Sequence, residues 1–167
     1  MNNKKRIVIT GLGTINAIGG NVAQFAASLR EGVCGISEID LFDTTGFRTH
    51  KGGQIRNFNP RGSIPREFSI KRMSRADQLA FAATIEALTD AVLSPLPEPV
   101  KEDMGVVIGG GSGGLFEAET FYAELIAKGF DRSRFSRLST VYCASSADRI
   151  ASNLGLLGPK TTLMTAC

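Results

Sequence analysis

Few side chains in this sequence can do covalent chemistry. Three cysteines, Cys34, Cys143 and Cys167, and one histidine, His50, are scattered through 167 residues. A cysteine becomes a strong nucleophile once its thiol ionises, and the start of a helix lowers its pKa. Cys167 follows Gly158-Pro159-Lys160-Thr161-Thr162-Leu163-Met164-Thr165-Ala166, which predicts a cysteine at the tip of a buried strand. That setting fits a nucleophile, and it also fits a buried structural thiol, the common fate of this residue type. Cys34 and Cys143 read as structural. An odd cysteine count at irregular spacing gives neither a disulfide framework nor a zinc pattern, and it predicts a reducing, cytoplasmic setting. His50, beside Lys51 and Gly52, has no Cys or Asp at ligand spacing, so no metal site is expected.

A second candidate for chemistry is the glycine turn. Gly109, Gly111 and Gly114 fit G-x-G-x-x-G after an apolar strand and before a helical pattern. A dinucleotide site also needs an acidic residue about 20 positions on, at the end of a second strand. Asp131 has that distance, but Lys128-Gly129-Phe130-Asp131-Arg132 does not read as a strand. The turn therefore reads as one that packs a helix onto a sheet. Pro159 between Gly158 and Lys160 rules out a phosphate-binding P-loop. The net charge of +3 is too small to indicate nucleic acid. It hides a local basic segment: Arg48, Lys51, Arg56, Arg61, Arg66, Lys71, Arg72 and Arg75, with Glu67 the one acid among them.

The elements that must position these groups follow from periodicity. Arg6 to Gly13 is a β-branched run stopped by glycine and predicts a buried strand and turn. Asn21 predicts the cap of a helix to about Arg30, with Phe25 and Leu29 on one face and Gly32 past its end. Residues 33–65 read as irregular, with one short strand near Gly53-Gln54-Ile55. Phe81, Ile85, Leu88 and Val92 recur at helical spacing from Arg75 to Leu93. Ser94-Pro95-Leu96-Pro97-Glu98-Pro99 reads as a connector. Met104–Ile108 predicts a second strand, followed by a helix through Phe116, Ala123 and Ile126. A further helix is expected from Thr140 to Leu154, and a third strand from Thr161 to Thr165. Strands alternating with helices predict an α/β fold with a largely parallel sheet. Length and ordinary composition, 43% hydrophobic and 21% charged, predict one soluble domain. The apolar stretch after Arg6 is too short for a signal peptide or a membrane span.

Five strings, in order, resemble the N-terminal half of the β-ketoacyl-acyl-carrier-protein synthases, closest to the type II elongating enzymes. They are Ile7–Gly13, Leu41-Phe42-Asp43, Lys71-Arg72-Met73, Ile108–Leu115 and Gly158–Cys167. The resemblance implies the thiolase-like fold, two similar α/β halves, of which residues 1–167 supply the first. It implies that Cys167 accepts an acyl group from the phosphopantetheine arm of acyl-carrier protein. A carbanion from decarboxylated malonyl-carrier protein would then attack that acyl group, for fatty acid or polyketide elongation. The backbone N–H of Cys167 would help hold the thioester oxygen. Gly111 and Ser112 would lie against the substrate, and Lys71, Arg72, Arg66, Arg132 and Arg134 would dock the acidic carrier protein. No bound cofactor is implied beyond the substrate's phosphopantetheine, and the assembly would be a homodimer. The family's two histidines and lysine belong to its second half, and His50 matches neither histidine. Ser112 stands where many elongating synthases carry a bulky apolar residue, which points to a wider or wetter acyl pocket. Ser136-Arg137-Leu138-Ser139 is also more polar than the family's segment there. An alternative from another class is a non-catalytic partner subunit that sets chain length. Such subunits typically lack the cysteine.

Overall fold

The computed structural model describes residues 6–111, 113–130 and 135–165. The chain divides into two compact units. One comprises the residues up to Asn59 together with Ile85–Ser94, and the other Pro60–Thr84 together with the chain from Pro95 onward.

In the first unit, helix α1 (Val22–Arg30) begins as the sequence predicts: the Asn21 side chain accepts from the Gln24 N–H at 2.8 Å. Gln24 reaches back to the Gly20 N–H, a reciprocal capping arrangement. Gly32, at φ 67°, follows the helix end. The expected strand at Arg6–Gly13 does not form, and Ile7, Val8 and Ile9 are exposed. A strand exists through its ladder, and here the backbone donors go elsewhere. The Leu12 N–H donates to Asp90 and the Thr14 N–H to Glu86, each at 2.9 Å. Gly11 lies against the same helix, where a Cβ would run into the Ala87 carbonyl and Ala91. Residues 33–65, expected to be largely irregular, contain an antiparallel pair, β1 (Ile36–Glu38) and β2 (Lys51–Gly53). Both strands are three residues long, too short for alternation to show.

In the second unit, short helix α2 (Pro60–Ser63) precedes α3 (Arg75–Asp90), whose residues Arg75–Thr84 belong to this unit. Phe81 is fully buried and meets Phe68 edge-on, with ring centroids 5.2 Å apart. The proline-rich connector opens a helix, α4 (Glu98–Asp103), with Pro97 as N-cap and a proline in its first turn. There the missing N–H costs nothing. Strand β3 (Val106–Gly109) pairs in parallel with β4 (Lys160–Leu163), Val106 opposite Lys160 and Gly109 opposite Leu163. Helix α5 (Leu115–Lys128) buries Ala118 and Phe121; Phe116, Ala123 and Ile126, the residues the pattern selected, are exposed. A 3-10 helix, Phe135–Thr140, occupies the approach to the last helix, which therefore begins later than expected, at α6 (Ser145–Leu154). Helix α6 packs on β3 and β4 through Ala147, Ile150, Ala151 and Leu154. Gly155, at φ 69°, ends it in the left-handed conformation. A Cβ at Gly158 would collide with the Met104 carbonyl, so glycine is required where the chain turns into β4.

Candidate acylation edge and docking groove

Parallel pairing puts the C-terminal ends of β3 and β4 at one edge of the sheet. The ladder continues past β3, where the Gly110 N–H donates to the Leu163 carbonyl at 3.1 Å. The glycine turn thus starts beside the point where β4 runs out through Met164 and Thr165 toward Cys167. Cys167 and Ser112 lie outside the described residues. The strand leading to Cys167 was expected to be buried. Lys160, Thr161 and Leu163 are instead exposed, because β4 has β3 as its one neighbour among the described residues.

The turn itself has a packing role. The Gly114 N–H donates to the Thr140 carbonyl at 2.9 Å, and side chains at Gly113 or Gly114 would strike the Thr140–Tyr142 backbone. Gly111 is exposed, with open space where a Cβ would stand, and its carbonyl accepts from the Cys143 thiol at 3.4 Å. Cys34 is exposed in the first unit. His50 is exposed too, with Nδ1 2.9 Å from the Thr44 hydroxyl, a local loop contact. Among the described residues, no group of three or more His, Cys, Asp or Glu is gathered as metal ligands would be. None of their helices is long and apolar enough to cross a membrane.

The basic segment separates into distinct environments. Lys51 pairs with Glu38 across β1 and β2 at 3.7 Å. Arg56 is spent on Asp40, whose carboxyl is held below its ordinary pKa first by the Gln54 amide and also by the Arg56 charge. Arg61 donates to the Phe68 carbonyl at 3.1 Å. Lys71 and Arg72 differ. They occupy the tip of a turn closed by the Met73 N–H donating to the Ile70 carbonyl at 3.2 Å. Buried Met73 and Ser74 anchor that turn, and the Gln78 amide donates to the Met73 carbonyl. Lys71 and Arg72 are exposed and line an open groove of about 370 Å³ together with Arg149, Ser152 and Asn153 of α6. Arg66 lies on a separate turn, Pro65–Phe68, and does not line this groove. Arg132 and Arg134 fall outside the described residues.

One residue that positions the groove escaped the sequence reading. Asp77 is buried, and its carboxylate accepts from the Ser74 N–H at 2.9 Å, the Ser145 hydroxyl at 3.0 Å and the Ser146 hydroxyl at 2.8 Å. Ser74 in turn accepts from the Asp77 N–H at 3.0 Å. The anion therefore sits at the N-terminal ends of both α3 and α6, where helix dipoles favour it. The signal was present as S-x-x-D just before the apolar run of α3.

A family profile described as "Beta-ketoacyl synthase, N-terminal domain" matches residues 4–167. The chain belongs to the β-ketoacyl synthase family. It is 33% identical over its whole length to 3-oxoacyl-[acyl-carrier-protein] synthase 2 of Staphylococcus aureus (strain COL), covering 40% of that protein. It is 35% identical over 166 residues to the chloroplastic 3-oxoacyl-[acyl-carrier-protein] synthase I of Arabidopsis thaliana, covering 98% of this chain and 35% of that one. Among solved structures, the ishigamide ketosynthase/chain length factor superposes with a TM-score of 0.83 at 29% identity, over 96% of this chain and 40% of the other. The chain thus spans about 40% of the length of such β-ketoacyl synthases. Its fold is the thiolase-like α/β fold of the family's ketosynthases, as expected.

Proposed function

We propose that the protein containing this chain elongates acyl chains by decarboxylating condensation, with Cys167 as the acyl carrier. The Cys167 thiolate attacks the carbonyl of an acyl thioester, and the phosphopantetheine thiolate of the carrier leaves. Malonyl-carrier protein loses CO2, and its carbanion attacks the acyl-Cys carbonyl. Cys167 leaves as thiolate, and the product is a β-ketoacyl-carrier protein two carbons longer. The single observation that carries this reading is the parallel register. It sets the glycine turn beside the end of β4, from which the chain runs to its cysteine. Ligands of α/β sheets gather at such C-terminal strand edges. Lys71 and Arg72, without carboxylate partners among the described residues, would dock the acidic carrier named in the relatives' activity.

The test is to incubate the complete protein with acyl-acyl-carrier protein and map the acyl mass by peptide mass spectrometry. Acyl on Cys167, blocked by prior iodoacetamide and absent in Cys167→Ala, is the expected result. Acyl on Cys34 or Cys143 with Cys167 untouched would sink it. The chain length factor in the ishigamide structure motivates one other reading, a partner subunit that sets chain length. It would be favoured if Cys167 stays free while an associated ketosynthase carries the acyl group. The cysteine's presence weighs for catalysis.

A further inference from the structure

We infer that Arg149 on α6 is a specificity-determining contact for the carrier protein, acting with Lys71 and Arg72 across one groove. The inference rests on the condensing-enzyme reading above. Helix α6 has two faces. Ala147, Ile150, Ala151 and Leu154 are buried, while Arg149, Ser152 and Asn153, at i, i+3 and i+4, line the groove. The groove's other wall is the 69–73 segment, which presents Ser69, Lys71 and Arg72. Three cations and no acid therefore line about 370 Å³ of open polar space.

The arrangement is held, not incidental. Asn153 Oδ1 accepts from the Ser69 N–H at 3.0 Å, and its Nδ2 donates to the Arg149 carbonyl at 2.9 Å. That amide fastens the Lys71–Arg72 turn to the helix and fixes its spacing from Arg149. The one acid of α6, Asp148, is taken by Lys160 at 2.7 Å. Arg149, Lys71 and Arg72 have no carboxylate partner among the described residues. A fixed cation cluster on two elements suits a partner with carboxylates in matching fixed positions, as along one face of an acidic helix. Arginine adds the planar, bidentate recognition of carboxylate that lysine lacks.

The experiment measures binding of fluorescently labelled holo-acyl-carrier protein to the complete protein by anisotropy at several salt concentrations. Turnover is followed in parallel with the acyl and malonyl groups both carrier-bound and with both on small-molecule thioesters. Arg149→Glu should weaken carrier binding about three- to tenfold and flatten its salt dependence. Its effect should be less than additive with Lys71→Glu/Arg72→Glu, and Arg149→Lys should recover part of the loss. Arg30→Glu, a reversal on α1 outside the groove, should leave binding unchanged. Small-thioester turnover should be unaffected by Arg149→Glu. If Lys71→Glu/Arg72→Glu weakens binding while Arg149→Glu does not, the inference falls and the docking reading stands. If Arg149→Glu lowers turnover of both substrates equally, Arg149 is structural and the inference falls. If the unaltered protein binds no carrier and condenses no acyl thioester, the functional reading itself fails.

Discussion

Asp77 shows how much one residue organises. Its carboxylate is out of water, yet every bond it accepts among the described residues comes from a backbone N–H or a serine hydroxyl, not from a cation. Burying an anion in this way is tolerable because two helix N-termini point at it. Removing it leaves the Ser145 and Ser146 hydroxyls and the Ser74 N–H facing a void. Asp77→Ala should therefore destabilise the fold by about 2–4 kcal/mol, read from urea unfolding. Asp77→Asn, which keeps one acceptor oxygen, should cost about half of that. Equal losses in the two variants would mean that charge, not acceptor geometry, does the holding. Because the bonds join α3 to α6, Asp77→Ala should also loosen the Lys71–Arg72 turn, which ends at Met73, next to Ser74. Asp40 is the contrasting acid. It is exposed, and its lowered pKa reflects hydrogen bonding to Gln54 and the charge of Arg56. Its contribution to the β1–β2 region is present at neutral pH and fades as pH falls through the lowered value.

Elements differ in how openly the sequence announces them. Helix α1 was legible from its Asn21 cap and trailing glycine, β3 from a short apolar run ended by glycine, and β4 from a β-branched, threonine-rich run after Gly158-Pro159. These signals are local, so they survive whatever packs around them. The stretch Arg6–Gly13 was not legible, since its β-branched composition is that of a strand, while pairing depends on a neighbour that sequence cannot display. Helix α4 was hidden by prolines that look like breakers but are harmless in a first turn. Of the candidate site, the Lys71–Arg72 pair was legible as charge. Its groove partner Arg149 was not, because it is 77 residues away in sequence (149 − 72). The end of α3 holds a further departure. The Leu93 N–H donates to the Leu88 carbonyl at 2.8 Å and the Val92 N–H to the Thr89 carbonyl at 3.1 Å, the pattern of a Schellman cap. Its left-handed position is filled by Val92 at φ 57°, not by the usual glycine. A β-branched residue there is strained by about 1–2 kcal/mol, and Val92 is exposed, so little packing offsets it. Val92→Gly should stabilise the protein by about 1 kcal/mol in urea unfolding, despite glycine's entropic cost. A destabilised variant would show that the side chain, not the cap, sets the end of the helix.

At the scale of the whole molecule, β4 has an edge to cover. Among the described residues it pairs with β3 on one side and with nothing on the other. Leu163 and Met164, at its C-terminal end, are each more than half exposed. A bare edge with apolar side chains invites pairing with another chain, and natural proteins blunt or cover such edges. The homodimer that the family resemblance implies would supply the cover, with the equivalent strand of a second copy running antiparallel across a twofold axis. A self-complementary contact of this kind needs no other partner. The complete protein should therefore show a dimer's mass by light scattering, and a monomer that turns over at full rate would refute this. Leu163→Lys places a charge on the edge and should raise the dimer dissociation constant at least about tenfold. Activity should fall at low protein concentration and recover as concentration rises. If the variant is a stable dimer with lost activity, Leu163 acts on the acylation edge, and the dimer forms through another surface.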